Sequence, residues 1–199
     1  MPILMGLVDN LLLRGTGQVY DHTEAAFIKT SKAYGRALTK AELPIGIAKF
    51  FPLVTSDLPS GQGLPRELLR QVLFGLLSEL EEIRMAVRST EMRMVGGSIL
   101  VIYEADWDAL KQGLQSWSRD SFTDEESAAA DCDADGEGNG DDPEDSDDEQ
   151  GPPYLIKLID FGHTTLREGE GPDTGVMLGL DTTISLFKNR LEEIARLEP

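Results

Sequence analysis

An apolar run that stops on an acid is where this sequence offers most to chemistry. Tyr154-Leu-Ile-Lys-Leu-Ile-Asp160 is followed at once by Phe161, Gly162, His163 and Thr164. A carboxylate at the end of a strand is held at a fixed point on the rim of a sheet. There it suits a hard cation such as Mg²⁺, which prefers carboxylate and phosphate oxygens. Capping a turn is the other role open to Asp160. His163 suits contact with a phosphate, as cation or hydrogen-bond donor, and equally an ordinary place in a loop. Ser98, opening the other strongly apolar run, brings a hydroxyl that suits the same metal or phosphates; serine is also common at a strand edge. Lys157 alternates with apolar neighbours and reads as the solvent face of a half-exposed strand.

The elements that must position these groups are legible in part. Ser98-Ile-Leu-Val-Ile-Tyr103 is short, branched and apolar, as a strand buried on both faces would be. With Tyr154–Asp160 it is expected to pair as a hairpin. Upstream, Pro65 suits a first helical position, and Leu68, Leu69, Val72, Leu73, Leu76, Leu77, Leu80, Ile83 and Val87 recur at steps of three and four. That spacing predicts a long amphipathic helix, broken at Met94-Val-Gly-Gly97. Thr39 with Glu42 forms a capping box for a helix ending at Pro52, and Leu53–Gly63 reads as a loop. Trp107, Leu110, Leu114 and Trp117 mark a short helix. Asp173 caps a last one, with Val176, Met177, Leu180, Ile184, Phe187, Leu191 and Ile194 inward. Gln18–Ala37 reads as polar and mixed, with bends.

Length and charge bound the rest. The 199 residues suit one domain. The net charge of −18 is unevenly spread: 15 acids and no base lie between Asp120 and Glu149, and outside that block 21 acids face 18 bases. A segment of that composition, at about 119–153, is expected to be a disordered acidic insert, because it has too little apolar surface to offset ordering. It also suits docking to basic protein partners. The single Cys132 lies inside it, so no internal disulfide is expected. No stretch approaches the roughly 20 apolar residues of a membrane span, and the start lacks the basic leader and cleavage site of a secretory signal. A soluble, intracellular protein of the nucleus, the cytoplasm or both is the expectation.

Several chemistries lack their motifs. Neither G-x-x-x-x-G-K-[ST] nor G-x-G-x-x-G with its following acid occurs. His22, His163 and Cys132 have no zinc-ligand spacing. Ser98, His163 and Asp160 could be drawn as a hydrolase triad, but Ser98 has no nucleophile-elbow context. No basic, aromatic-rich patch points to nucleic acid.

Taken together and in order, the motifs resemble those of the inositol polyphosphate kinase family. Ile159-Asp160-Phe161-Gly162-His163-Thr164 is similar to its I-D-F-[AG]-H-T signature. Gly169–Asp181 resembles the glycine- and aspartate-marked stretch opening its last helix, and Gly97-Ser98-Ile99-Leu100 with Val101–Glu104 resembles its S-[SL]-L strand. Tyr34–Leu38 and Leu43–Phe51 are similar to its fungal-type members, multikinase or hexakisphosphate-kinase-like. The likeness covers most of residues 15–197.

That resemblance implies ATP-dependent phosphoryl transfer to an inositol polyphosphate, with Mg²⁺ as cofactor and ATP as co-substrate. Asp160 becomes the metal ligand, Ser98 a support of the metal and phosphate site, and His163 a contact to a substrate phosphate. The implied fold is a partial α+β, kinase-like arrangement over 1–199, mainly the C-terminal lobe, with a small antiparallel sheet and packed helices. The family's P-x-x-x-D-x-K-x-G motif does not occur, so no catalytic acid or lysine is assigned. The sequence passes, between about Asn10 and Arg14, from what resembles the segment before that motif to what resembles the strand well after it. A chain that turns over slowly or not at all is expected. The alternative is a non-catalytic remnant that binds inositol phosphates or protein partners.

Overall fold

The computed structural model describes residues 2–8, 16–54, 61–123 and 152–197. Its frame is a five-stranded antiparallel sheet in the order β3-β2-β1-β5-β6. The strands are β1 (Pro2–Val8), β2 (Thr16–Asp21), β3 (Ala26–Thr30), β5 (Ser98–Glu104) and β6 (Tyr154–Ile159). The two strands carrying Ser98 and Asp160 do pair antiparallel, from Tyr103↔Tyr154 to Ser98↔Ile159. A second, two-stranded sheet joins β4 (Met92–Met94) to β7 (Thr164–Leu166).

Helices α1 (Lys32–Ala37), α2 (Leu43–Phe50), α3 (Arg66–Ser89), α4 (Trp107–Thr123) and α5 (Thr174–Arg196) complete the chain. The periodic leucines of α3 do what their spacing requires: Leu69, Val72, Leu73, Leu76 and Leu80 are buried. Each such side chain contributes about 1.5–3 kcal/mol by leaving water. Helix α3 lies against α5, tied by the Arg84–Asp181 pair and by Lys188 to Glu81 at 2.8 Å. Its Gly75 lies against Tyr154, and Glu79 accepts the Ile156 amide at 3.4 Å, so α3 also covers the outer edge of β6.

Three buried aromatics fix the junction of α2, β5 and α5. The Phe51 ring stacks on Tyr103 and meets Phe187 edge-on, both at 5.3 Å between centroids. The Tyr103 hydroxyl donates to the Phe50 carbonyl at 2.7 Å, and Arg190, itself buried, donates to the Phe51 carbonyl at 2.8 Å.

Several expectations are corrected in detail. Gln18–Ala37 holds the β2–β3 pair and α1, which polar, short, alternating segments at a sheet edge do not announce. Pro65 is the residue before α3 rather than its first, with an extended ψ of 147°. A strand, β4, precedes the Val95–Gly97 break. Strand β5 is buried at Ser98, Ile99, Val101 and Tyr103 but only half-buried at Leu100 and Ile102. Helix α4 is 17 residues long and runs through Thr123, past the expected start of the acidic insert. Residues 124–151, Cys132 included, and the junction 9–15 lie outside the described residues. The capping box is present: the Glu42 carboxylate accepts from the Thr39 amide at 2.9 Å and its hydroxyl at 2.7 Å. It closes a short 3₁₀ turn, Lys40–Glu42, that leads into α2.

Candidate functional site

Strand β6 ends at Ile159, and Asp160 turns the chain with a left-handed φ of 68°. Aspartate tolerates that conformation better than most residues. Its carboxylate is exposed, and among the described residues it makes no hydrogen bond or ion pair. A 3₁₀ turn, Phe161–His163, follows, and His163 is exposed as well. Ser98 stands across the ladder from Ile159, one register step short of Asp160, and is buried at 5% exposure. The buried strand start thus lies one register step from an exposed acid. No hydrogen bond joins Ser98, His163 and Asp160, so the hydrolase triad is not assembled.

The His163 turn is held from the other side by β4. The Val95 amide donates to the His163 carbonyl at 3.2 Å, and Thr164 pairs with Met94. The Met94 amide in turn donates to Asp173 at 3.0 Å. The other carboxylate oxygen of Asp173 accepts from the amides of Gly175 (2.9 Å) and Val176 (3.2 Å), the capping role expected of it. Burial works against the charge of Asp173. The amides of Met94, Val176 and Gly175 and the neighbouring Arg93 outweigh it and hold the carboxyl below its usual value.

Sequence reasoning missed β4 altogether, because three residues of alternating Met-Arg-Met give too short a signal. It also gave no role to the Thr164 hydroxyl, which is buried without a hydrogen-bond partner.

These groups fit a magnesium ion. Mg²⁺ commonly keeps several waters and takes one or two carboxylates plus substrate phosphates, so one unpartnered carboxylate on a rigid strand end suffices. Among the described residues no three His, Cys, Asp or Glu side chains converge, and a cage built by protein alone is not formed there. Nor is any described helix long and apolar enough to cross a membrane.

Known proteins resemble this chain in sequence and fold. The sequence profile described as Inositol polyphosphate kinase matches residues 11–188. Inositol hexakisphosphate kinase 3 of Mus musculus is 26% identical over 179 residues, covering 86% of this chain and 36% of that protein. Inositol polyphosphate multikinase of Saccharomyces cerevisiae is 28% identical over 173 residues, covering 84% and 46%. The chain therefore spans less than half the length of these curated relatives. Among solved structures, the inositol phosphate multikinase Ipk2 of S. cerevisiae, in complex with ADP and Mn²⁺, superposes with a TM-score of 0.59 at 18% identity. That match covers 96% of this chain and 78% of the other. A second inositol phosphate multikinase structure gives 0.60 at 18% identity, covering 96% and 80%. At that identity the structures speak for the α+β fold, while the profile match spans nearly the whole chain. The chain belongs to the inositol polyphosphate kinase family.

Proposed function

We propose that this chain carries the metal- and phosphate-binding end of an ATP-dependent inositol polyphosphate kinase, with turnover slow or absent. The observation that supports it most is the exposed Asp160 carboxylate at the end of β6, without a protein partner among the described residues and leading into the turn that carries His163. In this reading Asp160 holds Mg²⁺, Ser98 supports the metal and phosphate site from the paired strand, and His163 donates to a phosphate of the inositol substrate. Bound there, the ion supplies charge neutralisation for the transferring phosphoryl group. The chain's own residues orient the substrates and fix where their negative charge rests.

Positioning and charge placement make up most of this chemistry. An acid near the reacting hydroxyl and a lysine on the phosphates belong to the P-x-x-x-D-x-K-x-G motif, which this sequence does not contain. Losing one well-placed charge or donor typically costs about 10²–10³ in rate. Binding is thus retained more fully than turnover. Inside the cell, nucleus and cytoplasm both suit this activity. The run of 15 acids without a base between Asp120 and Glu149 favours a second role, as a docking segment for basic proteins.

Titration of inositol tetrakisphosphate into the chain with Mg²⁺ and ATP present tests the binding half. Saturable binding, weakened by His163→Ala and by Asp160→Asn, is expected. Binding indifferent to both substitutions, or none at all, rejects the reading.

A further inference from the structure

The bend between β7 and α5, residues 167–173, follows His163 closely and is gripped by two side chains of the segment opposite. The Glu91 carboxylate accepts from the Gly169 amide at 2.6 Å and, through its other oxygen, from the Gly171 amide at 3.2 Å. The Glu91 carbonyl accepts from the Arg167 amide at 2.6 Å. Two residues on, Arg93 donates to the carbonyls of Gly171 and Glu170, both at 2.9 Å, and pairs with the Glu170 carboxylate at 3.5 Å.

The labour is divided: the Glu91 carboxylate takes the amides of Gly169 and Gly171, the Arg93 guanidinium takes the carbonyls of Glu170 and Gly171, and the Glu170 amide closes a turn on the Arg167 carbonyl at 3.1 Å. Gly169 and Gly171 both have positive φ, 80° and 68°. Such a backbone has many alternatives and needs outside bonds to stay in one conformation. Apolar burial does not supply them, since residues 165–170 are all exposed. Charge-assisted hydrogen bonds, about twice as strong as neutral ones, do. Residues 91 to 95 then hold, in order, the two glycines by Glu91, Glu170 and Gly171 by Arg93, Asp173 by the Met94 amide, and His163 by the Val95 amide.

We propose that Glu91 and Arg93 are positioning residues that latch this bend and so hold His163 in the one arrangement competent to bind a phosphorylated inositol. The inference rests on the reading of the site given above. If release of the latch leaves about a tenth of the molecules competent, affinity falls about tenfold, because apparent affinity scales with that fraction.

The test uses the full chain with Glu91→Ala, Glu91→Gln, Arg93→Gln and Arg93→Lys, each alone and combined with His163→Ala. Affinity for inositol tetrakisphosphate is measured by calorimetry, and exchange of the Gly169 and Gly171 amides by NMR. Glu91→Ala is expected to raise exchange at both glycines and weaken binding about tenfold. Glu91→Gln keeps one acceptor for two amides and falls between, as does Arg93→Lys, which reaches one carbonyl at a time. In the His163→Ala background the Glu91 and Arg93 variants should have little further effect, since they act through His163. Additive losses in that background, or freed amides with unchanged affinity, overturn the proposal. Unchanged exchange in Glu91→Ala overturns the latch itself. A parent chain that binds no inositol tetrakisphosphate rejects the functional reading instead, while the exchange data still report on the latch.

Discussion

Ser98 and Asp160 stand one register step apart on paired strands, yet on opposite sides of the boundary between core and solvent. Ser98 faces Ile159 across the ladder and is 5% exposed; Asp160 follows Ile159 and is open to solvent. The fold can therefore tolerate change at the acid far better than at the serine.

Asp160→Asn should leave stability within about 0.5 kcal/mol of the parent, as exposed substitutions usually do. Asparagine also tolerates the left-handed backbone at this position. Asp160→Ala should cost about 1–2 kcal/mol, because a Cβ without a polar side chain is strained there. Urea melts of the two variants check this: equal stabilities would mean that the left-handed turn carries no cost.

Asp173→Ala should destabilise by about 1–2 kcal/mol, the upper range for a lost N-cap, since the carboxylate also holds the Met94 amide. The sign of the pH dependence follows from its lowered pKa. A carboxyl more acidic in the folded state contributes stability above its unfolded value of 3.8 and loses it as pH falls through the folded value. Parent and variant should thus differ most near neutrality and converge in strong acid. A gap that persists below pH 2 in denaturant titrations would count against this assignment.

Gly75→Ala should destabilise despite alanine's better helix propensity, worth about 1 kcal/mol. A Cβ there would sit 2.2 Å from the Tyr154 ring and hydroxyl. Overpacking of this kind costs about 1–3 kcal/mol, and here it falls on the outer end of the Tyr154 side chain. The double variant with Tyr154→Ala should recover part of the loss; melting temperatures of the four forms decide it.

How much of this was legible beforehand differs by element. The α3 leucines, the Asp173 cap and the apolar strands around Ser98 and Asp160 announce themselves, because each pattern matches a period or a local hydrogen bond. The β2–β3 pair does not, being polar and dependent on partners distant in sequence. Strand β4 is three residues long and exists only because β7 meets it. The grip of Glu91 on Gly169 and Gly171 spans about 80 residues of sequence and leaves no local trace. For the proposed site, the ordered motifs single out Asp160, Ser98 and His163 as candidates, while their depth relative to the surface required the fold.

Tyr103→Phe should cost about 1–2 kcal/mol. The phenol is fully buried, and its hydroxyl satisfies the Phe50 carbonyl at 2.7 Å, so removal leaves that acceptor without its partner. Burial pushes the Tyr103 phenol well above its ordinary pKa, against the pull of Arg190. Alkaline titration should accordingly find one tyrosine that ionises only on unfolding, and the phenylalanine variant should lack that transition.

In the proposed reading this chain keeps the binding half of a kinase site without its catalytic half. Transfer of labelled phosphate from ATP to inositol tris- and tetrakisphosphates, with Mg²⁺ and with Asp160→Asn as control, decides it. The expected result is turnover below roughly 0.01 per second, against the 1–100 per second common among kinases. Turnover in that ordinary range, abolished by Asp160→Asn, would contradict the claim and mean that other residues supply the missing acid and lysine.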